Sequence, residues 1–598
     1  MNEEPKSVWK KSWKGPQGLF LFWLLVLVAA FLIIFLFGWL ARIATSTTDL
    51  AFMAMIWAIV IAVAGFLIVS FIRWLCHWRN FKRFLFGAVC FVTLIALFHV
   101  EEDWRGKHEW GKFQHEWEAR GVRFGAASVI PAPVPDDQNF AMAPVFDTVD
   151  KLMDQKWRTQ HRNPHMGNNG DQMEWDTNLV NPLEMTISES GESPTNGIGN
   201  WQKATVSDLK VWQDYYRLMA ARTNQFPVPA QPQTAASSVL LVLGRYDSTI
   251  EQLHQAARLP YSRFPLSYDM EPPAGILLPH LAGLKRCAQV LQLRAIAELQ
   301  NGQSDKALAD VKLMLRLSDS IRTEPFLISH LVRIAIANIA LQPVWEGLAA
   351  HQWSDAQLAG LDSELAKVDL LADYQTAMRG ELMLCEIGDI EYLRHFPAEA
   401  SDLMGNSAGD RSGRVLQWTI WQAIPNGWFY QNELHCARPM LEYYLPLADV
   451  NRRMVRPGDV QRADSVVTSG LKHANPYNII ARLILPALGG AVRKSAYGQE
   501  SVDLARVAIA LERHRLAHGK YPESLDPLAP QFIGKIPHDI ISGQPLHYQR
   551  TADGQFVLYS VGWNETDDGG VVVLSKGSTS RVDISEGDWV WRSSAVKN

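Results

Sequence analysis

Three stretches near the N-terminus are apolar without interruption. Leu19 to Leu40 is 22 residues without a charge, Leu50 to Ile72 is 23 more, and Phe84 to Val100 is a shorter run of 17. Each predicts a helix able to cross a hydrocarbon core of ~30 Å, the third with little tilt. Trp23, Trp39, Trp74, Trp78 and Trp104 fall near the ends of these runs, where an amphipathic indole prefers the headgroup layer. A cleaved signal peptide would have a shorter apolar stretch and a small-residue cleavage site. Arg42 interrupts the Ala41 to Ala44 candidate, so the first run reads as a retained helix. Buried helices of a soluble core are the alternative, but three uncharged runs of this length rarely cluster so tightly.

Beyond Val100 the pattern changes. Glu101 to Arg120 alternates charge with Trp104, Trp110, Phe113 and Trp117, which predicts a helix or stalk with a solvated charged face. Ile130 to Pro144, His161 to Asn200 and the segment QFPVPAQPQTAASS read as loops or linkers. Ahead of the last of these, Val206, Leu209, Trp212 and Tyr216 mark one helix face. From Pro279 the helical period is strong: Leu284, Cys287, Ala288, Leu291, Ala295 and Leu299 share a face, Asn301 and Gly302 end it, and Ser304 is placed to cap the next helix. Ala307, Leu308, Val311, Leu315 and Leu317 mark that helix's buried side. Further helices are predicted from Pro325 to Ala350 and from a Ser354 cap to Phe396, ahead of a Gly/Ser/Asp-rich break at Gly405 to Gly413. A last helical pattern runs continuously from Asn478 to His518 and stops at Gly519, a good C-cap. Short alternating strands between proline and glycine turns follow.

Charge orients these elements. Lys6, Lys10, Lys11 and Lys14 precede the first apolar run, and Arg73, Arg79, Lys82 and Arg83 separate the second from the third. The intervening loop has Arg42 alone. The positive-inside bias therefore places the N-terminus in the cytoplasm and residues after about 100 outside it, in a bacterial inner membrane. The whole chain of 598 residues sums to 57 basic and 62 acidic side chains, a net charge of −5, with mean hydropathy −0.08. Such a balance offers no field to gather nucleic acid, which is excluded as the default partner. The length exceeds one hydrophobic core. Five cysteines are too few for a disulfide framework: Cys76 and Cys90 lie in or beside apolar segments, and Cys287, Cys385 and Cys436 on predicted helices read as small buried hydrophobes, although outside the cytoplasm one pair could bridge.

Two resemblances arise. The stretch LQLRAIAELQNGQSDKALADVKLMLRL resembles one tetratricopeptide repeat, but no second copy follows at that period, and an ordinary helical hairpin is the simpler alternative. The second lies near the end of the chain. It rests on Gly519-Lys520-Tyr521-Pro522 after a long helix, Ser524 to Leu528, Pro537-His538-Asp539, then Gly543, Pro545, Tyr548 and Leu558-Tyr559-Ser560-Val561-Gly562. Over about a fifth of the chain this order resembles the C-terminal domain of type II secretion major pseudopilins. The resemblance implies a long helix leading into a small antiparallel sheet, and an interaction surface near a secretion or pilus-like machine. It also implies calcium in the loop after the Leu-Tyr-Ser strand, where Asn564, Asp567 and Asp568, with Asp588 before the terminal Trp-Val-Trp strand, are the candidate oxygen ligands. The chain departs from the family in that the first acidic position is Asn564, about twenty residues intervene before Asp588, and the pilin-like helix is internal without a membrane-spanning half. A filament subunit processed by prepilin peptidase is not expected. The order of parts also looks like that of large bacterial membrane proteins carrying such a domain.

Signals of catalysis are sparse. Gly405-Asn406-Ser407-Ala408-Gly409 matches the nucleophile-elbow pattern, making Ser407 the candidate nucleophile, but the polar, helix-prone PAEASDLM before it is not the buried strand the mechanism needs. His161 and His165 have helical metal-pair spacing, yet Pro164 opposes a helix. His108 and His115, beside Glu109 and Glu116, lack the two-histidine zinc spacing. Glu381, Glu386, Asp389 and Glu391 on a predicted helix could do acid–base work, with a solvated or salt-bridged face as the plainer alternative.

The sequence thus predicts an integral membrane protein with a mainly α-helical extracytoplasmic domain and a small α+β pilin-like domain. The expected divisions are a cytoplasmic N-terminus (1–18), three transmembrane helices (19–100), a stalk and loop-rich linker (101–235), the helical domain (236–470) and the pseudopilin-like domain (471–598). The expected partners are the lipid bilayer and proteins of a secretion or pilus-like assembly, without an enzymatic role. A membrane-tethered extracytoplasmic hydrolase is the alternative.

Overall fold

In the computed structural model, which describes residues 16–40, 47–147, 185–188, 194, 197–223, 226–227, 229–269, 272–396, 421, 423–485, 488–577 and 581–595, the three N-terminal apolar runs lie on helices. These are α1 (Pro16–Leu40), α2 (Thr47–Leu75) and the first part of α3 (Trp78–Glu118). The chain divides into two units, Met1–Glu101 and Glu102–Asn598. In the first, α1 and α2 pack together. Ala54, Ala58 and Ala62 form a buried small-residue stripe on α2, of the kind that lets helix backbones approach. Gly65 continues the close approach, because a Cβ there would collide with the Trp23 indole. Most of the remaining large side chains of this unit are apolar and exposed. By length and composition α2 and α3 are apolar enough to cross a membrane, and α1 contributes the shorter described apolar stretch Phe22–Leu36.

The second unit is mostly helical. Its helices are α4 (Leu209–Thr223), α5 (Ala235–Leu243), α6 (Asp247–Ala256), α7 (Pro279–Gln300), α8 (Ser304–Ser320), α9 (Leu327–Ala349), α10 (Asp355–Leu365), α11 (Leu370–Gly380), α12 (Ile387–His395), α13 (Asn426–Pro439), α14 (Pro457–Gly470), α15 (Ile479–Ile484) and α16 (Gly489–His518). The hairpin α7–α8 packs both of its helices on α9. Ser304 opens α8 as its first residue and does not cap it; its hydroxyl accepts from Gln357 at 3.2 Å. Ser354 does cap α10, in a reciprocal box with Gln357. The single helix expected from Ser354 to Phe396 is broken after Leu365, where Asp369 caps α11 through the Ala372 N–H at 3.0 Å.

The pattern from Asn478 to His518 is likewise two helices, the first ending at Ile484 and the second beginning at Gly489, and Gly519 ends the second with φ +76°. A three-stranded antiparallel sheet follows, ordered β3 (His547–Arg550), β4 (Phe556–Ser560), β7 (Trp589–Arg592), with a separate hairpin β5 (Val572–Leu574)–β6 (Val582–Gly587). Two short paired strands, β1 (Ala448–Asp449) and β2 (Met454–Val455), precede α14.

Helix α16 is the centre of this unit. It packs on α9, α10, α11 and α14 as well as on β4 and β7, so one apolar core runs across residue 471, where the sequence suggested a boundary. Polar side chains on its buried faces have partners from both sides. Gln499 accepts from the Leu370 N–H at 2.8 Å, Arg506 donates to Asp362 at 2.8 Å, Glu500 accepts from the Ile540 N–H at 2.9 Å, and Tyr521 donates to Glu512 at 2.7 Å. The expected stalk and linker also enter the core, through Trp110, Phe113, Phe140, Phe146, Trp201 and Trp212. The face of α3 expected to be solvated buries Glu102, Gly106, Trp110 and Phe113.

Candidate functional site

The start of the second unit is built around Glu102. Both its oxygens accept from Arg105, at 2.6 and 2.7 Å. Trp428 on α13 donates its indole N–H to Glu102 at 3.0 Å, and the Tyr477 hydroxyl donates at 3.1 Å. Arg105 in turn donates to Tyr477 at 2.9 Å; the bonds to Glu102 and Tyr477 raise the guanidinium pKa further. Two glycines permit this crossing, since a Cβ on Gly106 or on Gly427 would strike the backbone of the opposite helix. Asp103 accepts from the Gly427 N–H at 2.8 Å at the first turn of α13.

Above this node Asn432 ties α13 to the α15 segment. Its amide donates to the Trp428 and Pro476 carbonyls at 2.7 and 2.9 Å, and its oxygen accepts from the Ile480 and Ala481 N–H groups at 2.8 and 3.1 Å. Between the two segments is a cavity of about 340 Å³ walled by Trp421, Ile424, Trp428, Phe429, Ile479 and Ile480. That volume is in the range of small-ligand sites, ~300–1,000 Å³, and the wall is largely apolar, with Asn432 and Asn475 its polar members. Sequence reasoning missed it. The signal was the apolar spacing of Trp421, Ile424, Trp428 and Phe429 beside a helix break, which separates neither a core face from a ligand wall.

A second cavity, about 380 Å³, is walled by charges including Glu442, Asp449, Arg456, Asp459 and Arg462. Several of these form exposed ion pairs: Arg462 with Asp459 at 3.1 Å and Arg438 with Glu442 at 3.7 Å. Pairs of this kind are solvated and weak.

The acids singled out by sequence lie elsewhere. Glu381 to Glu386 form a π-helical turn between α11 and α12, and Met440–Tyr444 form another after α13. Glu381 accepts from the Leu327 N–H at 3.1 Å, Asp389 is buried, and Glu391 alone remains on a solvated face, paired with Arg394 at 3.2 Å. Glu386 is buried and, among the described residues, neither of its oxygens has a hydrogen-bond partner; the same holds for Glu433 on α13. Burial, reinforced by Glu381, pushes the Glu386 pKa well up, and burial with Glu391 raises Glu433 to about 8. Cys436 feels both acids, its thiol pushed up first by burial and then by their charges. Helical spacing did not distinguish this buried cluster from a salt-bridged surface. His330 and Ser495, 2.8 Å apart, make a serine–histidine pair that the sequence did not suggest. The Ser495 hydroxyl donates to the Ala491 carbonyl at 2.9 Å, and burial with Arg333 lowers the imidazole to about 3. None of these groups lines either cavity.

The candidate calcium loop is closed by its own hydrogen bonds. Buried Asp588 accepts from the N–H groups of Asp568, Gly570 and Val571 at 3.3, 2.6 and 3.2 Å. Asp567 accepts from the Tyr559 hydroxyl and the Gly569 N–H, both at 3.0 Å, and Asp568 from the Asn564 amide at 2.9 Å. Among the described residues no three His, Cys, Asp or Glu side chains converge as metal ligands, and these donors compete for the oxygens a calcium ion would need. Asp539 of the Pro-His-Asp run plays a similar structural part, accepting from the Ser560 hydroxyl and the Val561 and Ile541 N–H groups. Cys287, Cys385 and Cys436 are free thiols, Cys287 and Cys436 fully buried. Ser407, His161, His165 and the Gly405 to Gly413 break lie outside the described residues. His108 and His115 lie on α3, with Trp104 stacked on His108. Comparison with family models, curated proteins and solved structures finds no match for the chain.

Proposed function

We propose that this is a non-enzymatic, membrane-anchored envelope protein whose C-terminal pseudopilin-like part binds other proteins of a type II secretion or pilus-like assembly. The observation that carries this reading is the separation of the shifted acids Glu386 and Glu433 from the two cavities. An enzyme gathers titratable groups with shifted pKa values around a concave site. Here Glu386 and Glu433 are sealed in the helical core, one cavity is apolar, and the charged cavity holds solvated ion pairs. The order of a long helix, an αL glycine at Gly519 and an antiparallel sheet agrees with the pilin-like reading of the motifs.

Crosslinking the full chain in intact membranes, followed by affinity capture, tests the proposal. Recovery of secretion or pilus components is the expected result. A partnerless chain that hydrolyses ester or peptide substrates would overturn it in favour of the hydrolase alternative.

A further inference from the structure

The four-residue spacing of a helical metal pair recurs at His514 and His518, here inside an unbroken helix, on the last turns of α16. Residues four apart lie one above the other on a helix face, and the two imidazoles stack, with ring centres 4.2 Å apart and planes 22° from parallel. Phe532 meets both rings edge to face, at 5.5 and 5.9 Å, and walls one side of the pair. Hydrogen bonds fix which nitrogen is free. His514 Nδ1 lies 3.1 Å from the carbonyl of Lys520, just past the turn that Gly519 makes with its φ of +76°, and His518 Nδ1 lies 3.1 Å from the His514 carbonyl. A carbonyl only accepts, so in each neutral ring the proton sits on Nδ1 and the lone pair on Nε2. Among the described residues no hydrogen bond or ion pair engages either Nε2. The neighbouring charges are paired with one another: Arg513 with Asp355 and Arg515 with Glu512, both at 2.7 Å. His514 is 8% exposed and His518 is exposed. Burial, only partly offset by the bond to the Lys520 carbonyl, lowers the His514 pKa and keeps that ring neutral at pH 7.

We propose that His514 and His518 together bind one divalent transition-metal ion of the zinc, nickel and copper(II) class through their Nε2 atoms, with water completing the coordination. Each ring already has what metal-bound histidines share, an Nδ1–H given to an outer oxygen that orients the ring and makes Nε2 more basic. Neutral imidazole suits these ions, whereas calcium and magnesium prefer oxygen. A tetrahedral zinc with Zn–N bonds of ~2.0–2.1 Å holds two nitrogens ~3.4 Å apart, and a tilt of the exposed His518 ring brings its lone pair onto the same ion as that of His514. The carbonyl end of α16 adds a favourable field for a cation. Two protein ligands leave at least two positions open, which makes this a site for an exchangeable ion and not a closed structural centre. It shares no residue with the candidate calcium loop and does not depend on the secretion reading.

The test uses the full chain in nanodiscs, purified without a histidine tag and stripped of metal with a chelator. Zinc is titrated by calorimetry, and free imidazole nitrogens are mapped by diethyl pyrocarbonate acylation and mass spectrometry. Micromolar zinc is expected to bind and to protect His514 and His518, while His115, exposed on α3, stays reactive; magnesium is expected to protect neither member of the pair. His518→Gln is expected to weaken zinc binding roughly tenfold or more, since losing even an outer partner of a metal-bound histidine costs ~10–100-fold. The side chain is exposed, so the metal-free melting temperature should not move. Zinc binding unchanged in His518→Gln, no protection of His514 and His518 at micromolar zinc, or equal protection of His115 would each overturn the proposal.

Discussion

Helices α3 and α9 look alike as sequence and differ in what covers them. Both are long and apolar enough to cross a membrane, yet none of the apolar window of α3 is buried by the rest of the chain, against 67% of that of α9. Hydropathy alone would make α9 a fourth span. What separates them is the company each keeps: α7, α8 and α16 enclose α9, whereas among the described residues nothing buries the apolar window of α3, a surface compatible with contact to lipid. The same contrast holds for polar groups. Inside the second unit each buried carboxylate must find a donor or give up its charge.

The sharpest way to break this comparison is to truncate one leucine on each helix. Leu341 on α9 is 0% exposed and Leu94 on α3 is 65% exposed. Leu341→Ala is expected to destabilise the second unit by about 2–5 kcal/mol, the usual cost of a buried leucine cavity. Leu94→Ala should leave its thermal unfolding in nanodiscs unchanged. Equal effects would mean that α3 is covered by protein after all.

A smaller effect concerns a buried acid that is answered. Asp588→Ala strands three N–H groups that its carboxylate now accepts, at about 1–3 kcal/mol. Because those donors occupy the carboxylate, a calcium chelator should shift the melting temperature of the full chain far less than this substitution does. The full chain is the proper subject, since α16 is buried by helices that a 470–598 fragment lacks. A chelation shift larger than that of Asp588→Ala would support calcium in the loop.

Glu433 is the unanswered counterpart. Burial raises its folded pKa to about 8, above the ordinary glutamate value of 4.5, so between those values the native state keeps a proton that the unfolded state has lost. Its contribution is therefore most favourable below pH 4.5 and falls as pH rises towards 8. Glu433→Gln should flatten that part of the stability–pH curve and raise the melting temperature at pH 8 relative to the parent. Glu512 gives the opposite sign. Burial works against its charge, but hydrogen bonds from Arg515, His351 and Tyr521 prevail and hold it down at about 2, so its stabilisation is present above pH 4.5 and lost as pH falls towards 2.

Much of this architecture was legible because local rules and tertiary packing agree. The apolar runs, the Ser354 capping box and the Gly519 cap are set by residues close in sequence. The centrality of α16 was hidden because it carries Ser495, Gln499, Glu500, Ser501, Asp503 and Glu512, which periodicity assigns to solvent. Their partners, such as Leu370, Ile540 and Arg453, are 40 to 129 residues away in sequence. The same blindness hid Glu386 and Glu433, whose burial depends on how α11, α12 and α13 meet. The apolar cavity was invisible for a simpler reason: a residue lining a pocket has the same spacing as one filling a core.

Central to the proposed function is the expectation, drawn from the apolar runs and the basic residues flanking them, that the chain threads a bilayer with the second unit on the outer side. Protease added to intact spheroplasts tests it directly, with one tag ahead of residue 18 and antibody against the second unit. The account predicts that the second unit is digested while the N-terminal tag survives until lysis. Digestion of the tag with the second unit protected, or protection of both until lysis, would contradict it.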